Sequence, residues 1–394
     1  MTSFTVRGFR AAGVHCGLKV DDKDIAFIAS DRPCAAAGVF TTNHVKAAPV
    51  LLDEAVIRGG GAVRAVVANA GNANACTGEQ GMRDAQAMAA AAASMIGCEP
   101  GEVLVLSTGV IGVPMPMEHV RHGIETAAGQ LEADGWRDAA LAIMTTDTYP
   151  KLACVHTDAG YSIGGIAKGA GMIAPNMATM LAVIVTDAAV PQPALQAMLK
   201  RAADHSFNRI VVDGDMSTND TVLLLANGAS GVEVGENDAK FYAALETVCT
   251  TLAQELVRNA EGATKFVTLH ITGAESVEAA RAVGNAIATS PLCKTAFYGA
   301  DPNWGRIIAA AGRAGVTVDA GRMALSLLDA EGVEAIRLFE QGGPTNYDEP
   351  AAIALMSGEA WGFRLDLGLG EAETTIWTCD LSHDYVTING HYRT

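Results

Sequence analysis

The segment from residue 168 to residue 187 constrains this chain more than any other. A loop rich in glycine and proline, residues 168–178, ends at Thr179, and an apolar run rich in β-branched residues, 181–185, follows. Such a run, bounded by turn residues, is typical of a buried strand. A chain break before Thr179 would place a free α-amine beside its hydroxyl, where the amine can act as the base for nucleophilic attack. Residue types alone also fit an ordinary threonine that opens a buried strand.

The composition fits a globular protein of several domains. Roughly one domain per 150 residues gives two or three domains for 394 residues, and 49% hydrophobic residues is ample for large cores. The formal net charge of -17 disfavours binding to nucleic acid phosphates. The eight cysteines include no Cys-x-x-Cys pair, which predicts a reducing, cytoplasmic location. We expect no membrane span and no signal peptide, because no run reaches ~20 apolar residues and the N-terminus lacks an apolar stretch.

Strand and helix patterns alternate along the chain, which indicates an α/β protein. Strands are predicted at residues 63–68, 103–106, 151–157, 161–166, 180–185, 210–212, 265–271, 361–367, 373–379 and 385–388. Helices are predicted at residues 80–96, 116–131, 136–144, 191–205, 238–259 and 276–287. The last three strands should form a meander in a smaller α+β domain that begins near Ser276.

Three polar segments are candidates for chemistry. Thr108 and Gly109 follow a predicted strand, where a hydroxyl and a backbone N–H can converge as an oxyanion hole requires; a simple turn has the same pattern. Residues 145–148 combine three hydroxyls with one carboxylate and fit either a polar substrate wall or turn chemistry. Glu261 closes the long predicted helix, where a carboxylate opposes the helix dipole.

Two further motifs argue against a nucleotide site and a metal site. The Gly-x-Gly-x-x-Ala pattern at residues 169–174 lacks the helix that a dinucleotide-binding turn requires, because Pro175 and a β-branched run follow it. The polar block at residues 213–221 lacks the closing glutamate of a calcium loop, and Ser217 or Asn219 capping a following helix explains it. We therefore expect no bound metal.

Together, these segments closely resemble the ornithine acetyltransferase family of arginine biosynthesis, the bifunctional glutamate N-acetyltransferases. The resemblance covers about residues 8–394. Its landmarks are residues 72–78, 107–112, 144–148, 168–180, 206–209, 261–265, 290–296, 301–306 and 385–389. The chain departs from the family pattern at Met216, where a threonine is expected, and in the tail after Asn389, which reads Gly-His-Tyr-Arg-Thr.

The resemblance implies an enzyme that cleaves itself between Ala178 and Thr179. The α chain would be residues 1–178, and the β chain would begin with Thr179 as the catalytic nucleophile. Thr108 and Gly109 would form the oxyanion hole. The substrate site would be lined by Thr145 or Thr146 and by Lys168, Thr179, Glu261, Asn389 and the terminal Thr394.

The resemblance also implies the fold and the reaction. The fold would be a layered α/β sandwich of mixed sheets flanked by helices, similar in plan to Ntn hydrolases. Residues 1–178 and 179–275 would form the catalytic domain, and residues 276–394 a smaller α+β domain closing the site. The enzyme would transfer acetyl from N2-acetyl-L-ornithine to L-glutamate through acetyl-Thr179, without a cofactor, and its α and β chains would form a heterotetramer.

Three questions stay open at the level of sequence. One is whether acetyl-CoA serves as a second acetyl donor. Another is whether the protein is instead a self-processing amidase or aminopeptidase, which would use water as the acceptor with the same nucleophile. The third is whether the chain is a binding protein that is never cleaved. An acetyl-transfer assay and a denaturing gel separate these alternatives.

Overall fold

A computed structural model describes residues 4–174 and 180–391, and these residues form two compact units. The first unit runs up to Asn208 and includes Asp215–Leu256. The second unit contains Arg209–Gly214 and the described residues from Val257 onward. Apart from Arg209–Gly214, the second unit starts at Val257, whereas the boundary was expected near Ser276.

The predicted alternation of strands and helices is present throughout. In chain order the strands are β1 (Phe9–Val14), β2 (Ile25–Phe40), β3 (Val63–Asn72), β4 (Val103–Val110), β5 (Lys151–His156), β6 (Ser162–Lys168), β7 (Leu181–Thr186), β8 (Ile210–Val211), β9 (Thr221–Ala226), β10 (Phe266–Ala274), β11 (Ala324–Leu328), β12 (Glu334–Glu340), β13 (Gly343–Pro344), β14 (Ala360–Asp366) and β15 (Ala372–Cys379). The α-helices are α1 (Ala48–Gly59), α2 (Gly78–Ile96), α3 (Met117–Ala128), α4 (Trp136–Ala142), α5 (Gln192–His205), α6 (Ala239–Arg258), α7 (Val277–Ala288), α8 (Pro291–Tyr298), α9 (Trp304–Gly312), α10 (Glu349–Met356) and α11 (His383–His391).

The strand predicted at residues 385–388 is wrong, because this segment belongs to helix α11. Ser382 Oγ accepts hydrogen bonds from the backbone N–H of Asp384 (3.1 Å) and of Tyr385 (3.4 Å). These bonds satisfy amide groups at the start of the helix, and this local capping outweighs the strand preference of tyrosine, valine and isoleucine. The helix expected after the polar block at residues 213–221 is also wrong, because strand β9 follows that block.

Strand β2 bends the sheet of the first unit so that its two halves face each other. The eight-stranded sheet has the order β4-β3-β2-β9-β7-β6-β5, with β1 paired to β2. The pairing of β2 with β3 is interrupted between Ala29 and Cys34, beyond which β2 pairs with β9. Pro33 lies in this interruption and has no N–H to donate to a strand ladder. One core cluster contains Leu104 of β4 together with Val183 of β7, so the halves pack as two β layers.

Helices cover the outer faces of both β layers. Helices α2 and α3 pack on the half that contains β3 and β4, in a core cluster that includes Met88. Helix α5 lies against β2, where the side-chain amide of Gln196 pairs with the backbone N–H (3.1 Å) and C=O (2.9 Å) of Gly38. Helix α6 approaches β6 so closely that a Cβ on Gly165 would lie 3.2 Å from Leu252 Cδ1. The expected layered α/β sandwich of mixed strands flanked by helices is confirmed.

The second unit is built on a seven-stranded mixed sheet with the order β13-β12-β11-β14-β10-β15-β8. Strand β10 is parallel to β14 and antiparallel to β15. The predicted alternation at residues 361–367 is confirmed, because Trp361, Phe363, Leu365 and Leu367 are all buried in a core shared with α7 and α9. The central position of β10, which precedes Ser276 in the chain, explains the earlier start of this unit.

Candidate active site

Thr108 and Gly109 lie near the end of strand β4, beside strand β3. Gly109 has a φ of +132°, and a Cβ at this position would lie 2.3 Å from the carbonyl carbon of Gly71. Only glycine permits this conformation and this close approach of two backbones. Asn219 supports the preceding residue, because its Nδ2 donates to the carbonyl oxygen of Ser107 at 2.8 Å. The end of β4 is therefore held by the backbone of β3 and by the side chain of Asn219.

Lys168 ends strand β6, and its buried ammonium lies against two threonine hydroxyls. Nζ donates to Thr145 Oγ1 at 2.8 Å and to Thr108 Oγ1 at 3.1 Å. Because Thr108 Oγ1 accepts this bond, its own hydrogen can be donated to another acceptor. The structure thus brings together three of the residues expected in the site, Thr108, Thr145 and Lys168. Thr146, the alternative to Thr145, is half-buried in the same turn.

Asp147 holds the backbone around this pocket, a role that no sequence motif indicated for this residue. Its Oδ1 accepts from Gly169 N (2.7 Å) and from Lys151 Nζ (2.6 Å), and its Oδ2 accepts from Thr145 N (3.1 Å). The side chains of Asp147 and Lys151 are both 0% exposed. Burial alone would raise the pKa of Asp147, but the ammonium groups of Lys168 and Lys151 outweigh burial and leave that pKa below its usual value. The Asp-x-x-x-Lys spacing beside three hydroxyls was the available sequence signal.

A small cavity lies where the ends of β4 and β6 meet the start of β7. Its lining residues are Thr108, Lys168, Met180, Leu181, Ser217, Asn219 and Asp220. Asp220 Oδ1 accepts from the backbone N–H of Met180 at 2.8 Å, and burial raises the pKa of this carboxyl well above its usual range. Asp220 therefore anchors the residue that follows Thr179 in the sequence. The polar block at residues 213–221 was expected to cap a helix. Its residues Asn219 and Asp220 instead stabilise the backbone of the candidate site.

Glu261 and Asn389 meet in the second unit. Asn389 Nδ2 donates to Glu261 Oε2 at 2.8 Å and to the carbonyl oxygen of Tyr385 at 3.0 Å. Glu261 is half-buried in a turn beyond the end of α6 at Arg258, so the helix dipole acts on it less than the sequence suggested. The adjacent Gly262 has a φ of +67°, and its carbonyl oxygen accepts a hydrogen bond from Ser382 Oγ at 2.6 Å. Helix α11 and the residue that caps it thus position this carboxylate.

Ala178, Thr179 and Thr394 lie outside the described residues. The nucleophile, the cleavage site and the terminal substrate contact therefore stay predictions. Within residues 4–174 and 180–391, no group of three or more histidine, cysteine, aspartate or glutamate side chains is arranged to hold a metal ion. Among the helices of this same part of the chain, none is both long enough and apolar enough to cross a membrane.

Comparison with known proteins gives consistent matches over the chain. A model of the ArgJ family matches residues 10–394. The arginine biosynthesis bifunctional protein ArgJ of Symbiobacterium thermophilum is 49% identical over 397 residues, which cover 98% of this chain and 97% of the relative. The protein of the same name from Geobacter sulfurreducens is 49% identical over 398 residues, covering 99% and 100%. A solved chain of ornithine acetyltransferase complexed with ornithine from Mycobacterium tuberculosis is 42% identical, with a TM-score of 0.43, and the match covers 44% of this chain and 96% of that one.

A buried ammonium flanked by hydroxyls at the ends of two strands is suited to bind a carboxylate beside a polarised carbonyl group. The class of protein that this fold and site define is an α/β enzyme for a small-molecule substrate. The chain belongs to the ArgJ family. The family and the enzyme class predicted from the sequence, an acyltransferase of arginine biosynthesis, are both confirmed.

Proposed function

We propose that this protein transfers the acetyl group of N2-acetyl-L-ornithine to L-glutamate through an acetyl-threonine intermediate on Thr179. The observation that carries the proposal is the buried contact of Lys168 Nζ with Thr108 Oγ1 beside Gly109, in a chain of the ArgJ family. The contact places a cation that can bind a substrate carboxylate, Lys168, next to a hydroxyl that can donate to an oxyanion, Thr108. An N-acetylated amino acid carries both a carboxylate and an acetyl carbonyl, so it suits this arrangement.

Activation begins with cleavage of the chain. Thr179 Oγ attacks the carbonyl carbon of Ala178, the peptide C–N bond between them breaks, and water hydrolyses the resulting ester. The products are residues 1–178, which end in a carboxylate, and residues 179–394, which begin with a free amine. That amine is then held beside the Thr179 hydroxyl and serves as its base.

Acetyl transfer proceeds in two half-reactions. Thr179 Oγ attacks the acetyl carbonyl of N2-acetyl-L-ornithine, and the Thr108 hydroxyl and the Gly109 backbone N–H donate to the oxyanion. The amide C–N bond breaks, and the proton held by the α-amine goes to the departing ornithine. The amine of L-glutamate then attacks the acetyl-Thr179 ester, which releases N-acetyl-L-glutamate and restores Thr179. The kinetics are ping-pong, and neither a metal nor a prosthetic group takes part.

Charge distinguishes the groups of the two substrates. Lys168 pairs the α-carboxylate that acetylornithine and glutamate share. Glu261, supported by Asn389, pairs the δ-ammonium that only ornithine carries. Thr145 and the terminal Thr394 complete the polar lining. The tail differs from the family pattern at Gly390, His391 and Arg393, but Asn389 and Thr394 match that pattern.

The proposal also covers the assembly of the chains and the compartment of the protein. The α and β chains stay associated after cleavage and form a heterotetramer in the cytoplasm. All eight cysteines, each of which lies in the described ranges, are free thiols. This supports a reducing compartment.

The test is acetyl transfer by the purified full-length protein, with acetylornithine and acetyl-CoA compared as donors to L-glutamate. We expect N-acetylglutamate from acetylornithine, and intact-mass spectrometry should show chains 1–178 and 179–394. Thr179→Ala should stay as one inactive chain, whereas Thr179→Ser keeps a hydroxyl and should still cleave. Acetate release without N-acetylglutamate would indicate the amidase. A single inactive wild-type chain would indicate the binding protein, and an uncleaved, fully active chain would contradict the mechanism.

A further inference from the structure

We propose that Asp147 is a positioning residue for the substrate carboxylate, because it fixes the two backbone segments that present Lys168 and Thr145. This inference rests on the proposed function, in which Lys168 receives that carboxylate. Nothing in the sequence motifs assigns Asp147 this role. It acts through its neighbours rather than by contact with the reacting atoms.

Asp147 accepts hydrogen bonds from two backbone segments, one next to Lys168 and one at Thr145. Oδ1 accepts from Gly169 N at 2.7 Å, which fixes the peptide group that directly follows Lys168. Oδ2 accepts from Thr145 N at 3.1 Å, and Thr145 Oγ1 in turn accepts from Lys168 Nζ at 2.8 Å. One carboxylate therefore sets the position of the Lys168 backbone relative to the hydroxyl that orients its ammonium.

The carboxylate of Asp147 lies close to the side chains of two buried lysines. Lys151 and Lys168 are both buried, and Asp147 forms the ion pair with Lys151 at 2.6 Å. Burial lowers the pKa of Lys151, and the Asp147 carboxylate opposes this shift. Asp220 also faces the Lys168 charge, but its burial raises its pKa well above the usual range and favours its neutral form. The Lys168 ammonium, which donates to Thr108 Oγ1 and Thr145 Oγ1, is the cation that the proposed function assigns to the substrate α-carboxylate.

The competing explanation is that Asp147 and Lys151 form a purely structural ion pair. Removing one partner of a buried pair leaves an uncompensated charge and strongly destabilises a fold, whereas replacing both partners with neutral groups of similar size is often tolerated. A purely structural pair predicts that replacing both residues restores stability and substrate binding together. A positioning role predicts that stability returns and substrate binding does not.

The experiment compares Asp147→Asn with the double variant Asp147→Asn, Lys151→Met in processed full-length enzyme. Asp147→Asn keeps the size and one acceptor oxygen, and it should lower the midpoint of thermal unfolding. The double variant should recover most of that midpoint. Its KM for both acetylornithine and glutamate should nevertheless stay roughly ten- to a hundredfold above that of the wild type, with a smaller change in kcat. Recovery of both KM values with the midpoint would overturn the positioning role.

Asp53 supplies the matched control. It is also fully buried in the first unit, and its Oδ1 accepts from Val105 N at 2.8 Å. Asp53→Asn should leave both KM values unchanged, whereas an equal rise would mean that any buried aspartate of this unit has the same effect. Calorimetric binding of L-glutamate separates this inference from the proposed reaction. If the wild type binds glutamate without transferring acetyl, weaker binding by the double variant still supports positioning, and equal binding overturns it.

Discussion

The Lys168 pocket of the first unit and the Glu261–Asn389 pair of the second unit place candidate site residues in opposite surroundings. Lys168 is buried and donates to two hydroxyls, and its backbone is fixed by Asp147. Glu261 is half-buried, and its partner Asn389 is exposed on the last helix. Electrostatic interactions are stronger where water is excluded. Burial, more than formal charge, should therefore decide how much each residue contributes to kcat/KM.

The largest effect is expected at the buried end of β4. Thr108→Val keeps the shape of the side chain but removes the hydroxyl proposed as an oxyanion donor and the acceptor of the Lys168 ammonium. We expect kcat for acetyl transfer to fall by about two to three orders of magnitude. Steady-state kinetics on processed enzyme provide the measurement, with Thr108→Ser as the control that retains the hydroxyl. An unchanged kcat in Thr108→Val would remove Thr108 from the mechanism.

Lys168→Met should have the next largest effect, and it should act on both substrates. The change removes the ammonium while keeping much of the apolar stem, so an α-carboxylate loses its proposed partner. A lost hydrogen bond to a charged group is typically worth ~1.5–3 kcal/mol, or roughly ten- to a hundredfold in kcat/KM. The measurement is kcat/KM for acetylornithine and for glutamate, with thermal unfolding and intact mass confirming a folded, cleaved enzyme. A loss confined to one substrate would contradict the role of Lys168.

The sequence predicted the strands and helices best where the pattern is local. The alternation at residues 361–367 and the strands at residues 151–157 and 161–166 need only neighbouring residues to be recognised. The 16-residue strand β2 was not predicted, because its alanines and its central Asp-Arg-Pro lack a clear period. The segment at residues 385–388 was misassigned because a cap from Ser382 outweighs intrinsic strand preference.

The candidate site shows the same limit. Thr108, Gly109 and Glu261 were named from their places at the ends of predicted elements and from the family resemblance, and Lys168 from the resemblance alone. Asp147 and Asp220 were not named, because their roles depend on partners distant in the chain, Gly169 and Met180. Only the folded β layers bring these groups together. A sequence motif thus indicated the residues proposed to contact substrate, and the structure was needed to find those that support them.

The smallest effect is expected from Glu261→Gln, and it should be selective. Glutamine retains an oxygen that can accept the bond from Asn389 Nδ2, so the change removes charge with little loss of structure. Glu261 is only half-buried, so water still screens its charge, and ion pairs that water reaches are worth only ~0.2–1 kcal/mol. We therefore expect kcat/KM for acetylornithine to fall by at most about fivefold and that for glutamate to stay unchanged. Glu359→Gln, an exposed carboxylate of the same unit, is the charge-matched control and should change neither value. Equal losses for both substrates would exclude δ-ammonium recognition by Glu261. A hundredfold loss for acetylornithine alone would mean that this carboxylate is desolvated when substrate binds, and the contrast between the two regions would then hold only for the free enzyme.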